Sequence, residues 1–246
     1  MHYQSYGNKE NKSLLFIHGL ASSATLCFEP LLEFFKDYYV ILWELEGHSA
    51  NQPGDFVSLK ASVDAIEDFI LNEMGGEVYG LCGFSMGATM AVELIGRGKI
   101  SAERLFIDGA VTVPMGLKAL PLTLVFATGV HRMKKGKWIP KVAMERFMGK
   151  GNDSVSTMIY PGVSDRSVKN ACRDLYRYTI PEGLRGFTHP VLSLRGSEEP
   201  IAAESERLLR MYLPHMETRV FDGKGHGQLL FEEPKAYGDI LRRFLE

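Results

Sequence analysis

Ser85 lies in the run Gly83-Phe84-Ser85-Met86-Gly87, and His226 lies much later in the chain, in Gly225-His226-Gly227. A serine hydroxyl attacks a carbonyl only when a nearby base takes its proton, and imidazole does this near neutral pH. The G-x-S-x-G spacing suits that work. It holds a serine on a sharp strand-to-helix turn, with glycines that let the two backbones approach and a helix N-terminus facing the developing oxyanion. The base needs a carboxylate to orient it, and one known order of such a triad along a chain is Ser, acid, His. Between the two lies Arg195-Gly196-Ser197-Glu198-Glu199-Pro200, where Glu199 is better placed than Glu198. Acyl transfer also needs two N–H donors for the tetrahedral oxygen. Met86 supplies one backbone donor. The other is expected from Leu20, in His18-Gly19-Leu20, with His18 organising that loop.

These residues must be presented by a scaffold. Continuous apolar runs at Ser13–Ile17, Tyr38–Trp43, Glu77–Gly83 and Arg104–Ile107 read as strands of a parallel sheet covered on both faces. Ala61–Met74 carries apolar residues at helical spacing, and Met86 to Ile95 reads as a helix stopping at Gly96. Alternation resumes with strands at Val191–Leu194 and Thr218–Phe221 and helices at Ala203–Tyr212 and Tyr237–Leu245. Strand and helix in alternation predict an α/β fold. Between them, residues 112–186 show no such alternation. They hold an apolar stretch (Leu117–Val130), a basic run (Arg132 to Lys141) and expected helices at Val142–Met148 and Ser167–Tyr178, a mainly helical insertion within one domain spanning residues 1–246.

The bulk composition narrows the possibilities. With 28 basic and 30 acidic residues the net charge is -2, which gives no electrostatic reason to expect nucleic acid. Three scattered cysteines suggest neither disulfides nor a zinc site, and Cys82 reads as a small core residue. There is no secretory leader pattern and no apolar run long enough for a membrane span, so a cytoplasmic location is expected. No phosphate-binding or dinucleotide fingerprint appears, and neither cofactor nor metal is expected. The basic run reads first as a solvated face, with attraction to an acidic substrate or a membrane surface as the other reading.

Taken together, His18-Gly19, Glu46-Gly47-His48-Ser49, Gly83-Phe84-Ser85-Met86-Gly87, Gly196-Ser197-Glu198-Glu199-Pro200 and Gly225-His226-Gly227 resemble, in order and distance, the α/β-hydrolase superfamily. The resemblance covers essentially the whole chain. It implies a mainly parallel, roughly eight-stranded sheet flanked by helices, with a helical cap inserted after the sixth strand at about 112–186. Met115, Leu124, Phe126, Met133, Trp138, Met144, Phe147 and Met148 are then candidates to line an acyl pocket, cap packing being the plainer role for each alone. Relatives typically carry Asp where this chain has Glu199, although some use Glu. Asp108, just past the strand at Arg104–Ile107, is an alternative acid because some relatives recruit one there. Glu46-Gly47-His48-Ser49 stands where relatives typically have D-x-G-H-G, a tight turn beside the site, and Glu46 and His48 read as structural.

The expected activity is hydrolysis of a small to medium ester or thioester through an acyl-enzyme, on a small-molecule substrate. A carbon–carbon bond hydrolase or lyase using the same triad, an amidase or peptidase, a cofactor-free haloperoxidase-like enzyme and a non-catalytic binding protein are the alternatives. Oligomeric state is left open.

Overall fold

Leu14, Leu15, Phe16 and Ile17 are all fully buried. Successive side chains of a strand point to opposite faces, so a run without a polar member needs cover on both. The computed structural model, which describes residues 2–137, 139, 145, 148–149 and 155–246, provides that cover. Leu15 and Ile17 pack with Ile41 and Trp43 on one face, and Leu14 and Phe16 with Val40 and Leu42 on the other.

The sheet comprises β1 (Tyr3–Tyr6), β2 (Ser13–Ile17), β3 (Tyr39–Trp43), β4 (Glu77–Phe84), β5 (Ser101–Asp108), β6 (Val191–Gly196) and β7 (Glu217–Phe221). Their order is β1-β3-β2-β4-β5-β6-β7, parallel throughout except for β1, which pairs antiparallel with β3. The described sheet therefore has seven strands where the resemblance implies roughly eight, and the insertion follows the fifth. Among the described residues the α-helices are α1 (Ala24–Phe28), α2 (Leu59–Glu73), α3 (Met86–Arg97), α4 (Ala119–Lys134), α5 (Val155–Met158), α6 (Asp165–Leu175), α7 (Pro200–Leu209), α8 (Gln228–Glu232) and α9 (Pro234–Leu245). Val63, Ile66 and Ile70 of α2 and Met90 and Leu94 of α3 fill one face of the sheet. Cys27 and Phe28 of α1 and Tyr237, Leu241 and Leu245 of α9 fill the other.

Several boundaries differ from the sequence reading: β5 begins at Ser101 and not at Arg104, α7 spans Pro200–Leu209 where Ala203–Tyr212 is expected, and α9 begins at Pro234 and not at Tyr237. Helix α3 runs through Gly96 and ends at Gly98, whose left-handed backbone closes it. The apolar stretch from Leu117 is the helix α4, which packs on α6 between β5 and β6. The expected helix at Val142–Met148 lies mostly outside the described residues. Among the described residues no helix is long and apolar enough to cross a membrane.

The parallel strands point the same way, so Ile17, Phe84, Asp108, Gly196 and Phe221 end along a single edge. Ligands of open α/β sheets bind beyond this carboxyl edge. His18, Ser85, Glu199 and His226 all lie in the segments that leave it.

Candidate active site

Ser85 stands between β4 and α3 with φ 55° and ψ -116°. Ala21 is its companion in positive φ among the described non-glycine residues. Such a backbone costs about 1–3 kcal/mol and persists only where its surroundings hold it. Here the Ser85 N–H donates to the Asp108 carbonyl (2.7 Å), and the Ser85 carbonyl accepts from the Thr89 N–H (3.2 Å). Gly87 is required by close approach: a Cβ there would sit 1.9 Å from the Ile17 carbonyl oxygen. The absent side chain lets α3 lie against the end of β2 and aims its N-terminus at Ser85.

The turn brings the hydroxyl to an imidazole. Ser85 Oγ lies 2.9 Å from His226 Nε2, and His226 Nδ1 lies 2.6 Å from Glu199 Oε2. The other Glu199 oxygen accepts from the Gly196 N–H at 2.5 Å, which fixes the carboxylate. A carboxylate beside Nδ1 keeps the ring proton there, so the Nε2 lone pair faces the serine hydroxyl. Phe84 stacks on the imidazole, with ring centres 5.1 Å apart. Burial alone lowers the His226 pKa, but the charge and hydrogen bond of Glu199 outweigh it and the net shift is upward.

The loop that carries His226 is held from two sides. Gln228 Oε1 accepts from the Gly225 N–H (2.9 Å), and the Met148 carbonyl, from the segment between β5 and β6, accepts from the His226 N–H (2.8 Å). A Cβ on Gly225 would lie 2.1 Å from that carbonyl oxygen.

Of the two candidate acids, Glu199 is the one hydrogen-bonded to His226. The Asp108 carboxyl is instead buried at the end of β5, where it interacts electrostatically with the buried Tyr237. Burial, then the nearby charge of Glu199, pushes the Asp108 pKa up to about 8, so this carboxyl is mostly protonated at neutral pH.

The loop after β2 passes close to the serine: a Cβ on Gly19 would lie 3.1 Å from Ser85 Cβ. His18 fixes it by donating from Nδ1 to the Gly19 carbonyl (2.9 Å) and accepting the Leu45 N–H at Nε2 (3.1 Å). Burial, then the neighbouring His48, pulls the His18 pKa down to about 3, which suits a neutral connector. Leu20 lines the cavity above Ser85, and Met86 opens α3. Among the described residues, neither N–H donates to a backbone carbonyl.

That cavity has a volume of about 400 Å³, within the range of small-molecule pockets. Ser85 and His226 lie on its wall, which is mainly apolar. Of the pocket candidates, Leu124, Phe126, Met133 and Met148 line it. Met115 does not: it packs against the hydrophobic core, and its N–H donates to the Tyr176 carbonyl. Trp138, Met144 and Phe147 lie outside the described residues. Met158, Ile159 and Arg132 also line the cavity. Nothing in the sequence context of Met158 and Ile159 marks them, and Arg132 stands out there only as part of the basic run. Among the described residues, no three His, Cys, Asp or Glu side chains converge as a metal site.

Residues 14–240 match the alpha/beta hydrolase family. The chain belongs to the α/β-hydrolase family. No curated protein sequence matches it significantly. Among solved structures, an α/β hydrolase family protein from Desulfitobacterium hafniense is similar at 24% identity and TM-score 0.88, with 99% of this chain and 100% of that one covered. MenH from S. aureus follows the fold at 18% identity and TM-score 0.76, covering 99% and 97%. A carboxylesterase from the thaumarchaeon Nitrososphaera gargenis does so at 21% and 0.74, covering 99% and 93%. At such identities the likeness establishes the α/β-hydrolase fold, which hosts many reactions.

Proposed function

We propose that this hydrolase cleaves esters or thioesters of small to medium acyl groups through a covalent acyl-enzyme. The observation that carries the reading is the unbroken relay from Glu199 through His226 to Ser85, at 2.6 and 2.9 Å, on the wall of an apolar cavity. In the first half-reaction His226 Nε2 takes the hydroxyl proton as Ser85 Oγ attacks the carbonyl carbon. The N–H groups of Leu20 and Met86 hold the tetrahedral oxyanion. Its collapse expels the alcohol or thiol, which receives the proton from His226. A water, deprotonated by the same imidazole, then attacks the acyl carbon and releases the acid. Glu199 fixes the imidazole and stabilises its charged form. The apolar cavity gives an acyl chain its binding energy, about 0.8 kcal/mol per buried methylene. A carboxylesterase among the fold relatives is consistent with this chemistry.

The test is hydrolysis of p-nitrophenyl esters from acetate to long acyl chains, by the wild type and by Ser85→Ala. Turnover that falls at least about 10³-fold in the variant supports the reading. A wild type inactive on the whole series, or a variant as active as the wild type, overturns it.

A further inference from the structure

The helix α4 presents an apolar face to solvent. Leu117, in the turn that leads into it, is 100% exposed, Leu120 70%, Leu124 53% and Val125 47%. With the exposed Pro121 and Thr128 they recur at intervals of three and one, which is one side of a helix. The opposite side, with Ala119, Thr123, Ala127 and Val130, is buried in the protein. The other exposed large apolar residues among the described ones fall one at a time along the chain. A contiguous exposed apolar stripe of this kind marks an interaction surface.

Charge identifies the partner. From Gly109 to Met144 the sequence contains no Asp or Glu, yet it holds Lys118, Arg132, Lys134, Lys135, Lys137 and Lys141, in a chain whose overall net charge is -2. His131 and Lys134 pair with Asp165 of α6. Lys118, near one end of the stripe, and Lys135 and Lys137, just past the other, are exposed. An apolar helical stripe with cations at its ends and no acidic residue along it matches an interfacial helix on an anionic lipid surface. The stripe is also continuous with the cavity. Leu124 and Val125 belong to both, so a chain leaving a lipid layer would meet apolar side chains up to Ser85.

We propose that the outer face of α4 docks on an anionic lipid surface and places the cavity mouth against it. Docking stands on the exposed stripe and its charge. Delivery of an acyl substrate from that surface rests on the hydrolase reading above.

The experiment is flotation of the full-length protein with phosphatidylcholine vesicles, with and without phosphatidylglycerol, at low and high salt. Binding is expected on the anionic vesicles and is reduced by salt. Lys135→Glu with Lys137→Glu weakens it by roughly tenfold or more, and Leu117→Ser with Leu120→Ser by roughly tenfold. Circular dichroism shows that both variants remain folded. No vesicle binding, equal binding to neutral vesicles, or variants that bind as the wild type does would each overturn the proposal. So would self-association of the wild type abolished by the leucine substitutions, which would assign the stripe to a second copy of this chain. Flotation does not depend on turnover, so a failure to hydrolyse soluble esters would remove the catalytic reading and leave the docking result standing.

Discussion

The backbone N–H of His226 donates to the carbonyl of Met148 across 2.8 Å, tying the loop of the proposed base to the segment between β5 and β6. Both neighbours of His226 are glycine, and Gly225 has no space for a side chain beside that carbonyl. Gly225→Ala therefore either pushes the Met148 segment away or tilts the imidazole from Ser85. A displacement near 1 Å at a catalytic group costs about 10²-fold. The expected outcome is a drop of that order in kcat/KM on p-nitrophenyl esters, with far-UV circular dichroism unchanged. Wild-type kinetics in the variant would show that the contact is dispensable for positioning.

Glu199 and Asp108 make an instructive pair, because one carboxyl holds the imidazole and the other, beside it, is mostly neutral. Glu199→Gln keeps the shape but removes the charge that stabilises the imidazolium and sets its tautomer. A loss of about 10⁴-fold in kcat is the precedent for such a change. Asp108→Asn replaces a mostly protonated carboxyl with a neutral amide of similar shape, and less than about tenfold should be lost. Steady-state kinetics of the two variants decide the matter, and a larger loss from Asp108→Asn would reverse the assignment.

Much of this was legible in the sequence because the strands are continuous apolar runs with no competing helical period, and the serine turn carries its own glycines. Other parts were not. β1 reads Tyr-Gln-Ser-Tyr, short and half-exposed, without the apolar pattern of the central strands. α4 was legible only as an apolar stretch, because its outward stripe is apolar as well and blurs the amphipathic period. The choice between Glu199 and Asp108 depends on side-chain direction at two strand ends, which spacing does not encode. Met115 had the right chemistry for a pocket, yet the backbone turns it onto the core instead.

Phe126 lines the cavity and also packs against the core from α4. Phe126→Ala should lengthen the space for the acyl chain of the proposed substrate. Discrimination in apolar pockets runs at roughly tenfold or more per methylene. The chain-length optimum in a p-nitrophenyl ester series is therefore expected to move towards longer acyl groups, with acetate turnover falling. A variant whose profile only scales down uniformly, with its optimum unmoved, would mean that Phe126 does not bound the acyl site.

In the proposed mechanism His226 must be neutral to accept the serine proton, and its pKa lies above its usual 6.5. The kcat/KM profile should thus rise with pH through a midpoint above 6.5 and level off on the alkaline side. Removing the Glu199 charge removes the main influence holding that pKa up. The residual activity of Glu199→Gln should accordingly show an acid limb displaced to lower pH. An identical midpoint in both proteins would separate the limb from this ion pair.

Asp108 also makes stability depend on pH. Its folded pKa of about 8 stands above the ordinary 3.8, chiefly through burial and then through the charge of Glu199. Below 3.8 the carboxyl is protonated in both folded and unfolded chains and gives no difference. As pH rises from there, the unfolded carboxyl ionises first, and the unfolded state gains. The folded protein therefore loses stability across the window from 3.8 to about 8, after which the loss levels off. Asp108→Asn removes the ionisation from both states. Urea unfolding at about pH 5 and about pH 8 should then show the variant gaining on the wild type at the higher pH. A stability difference between the two proteins that is the same at both pH values would mean that the Asp108 carboxyl ionises in the folded protein as readily as in the unfolded chain.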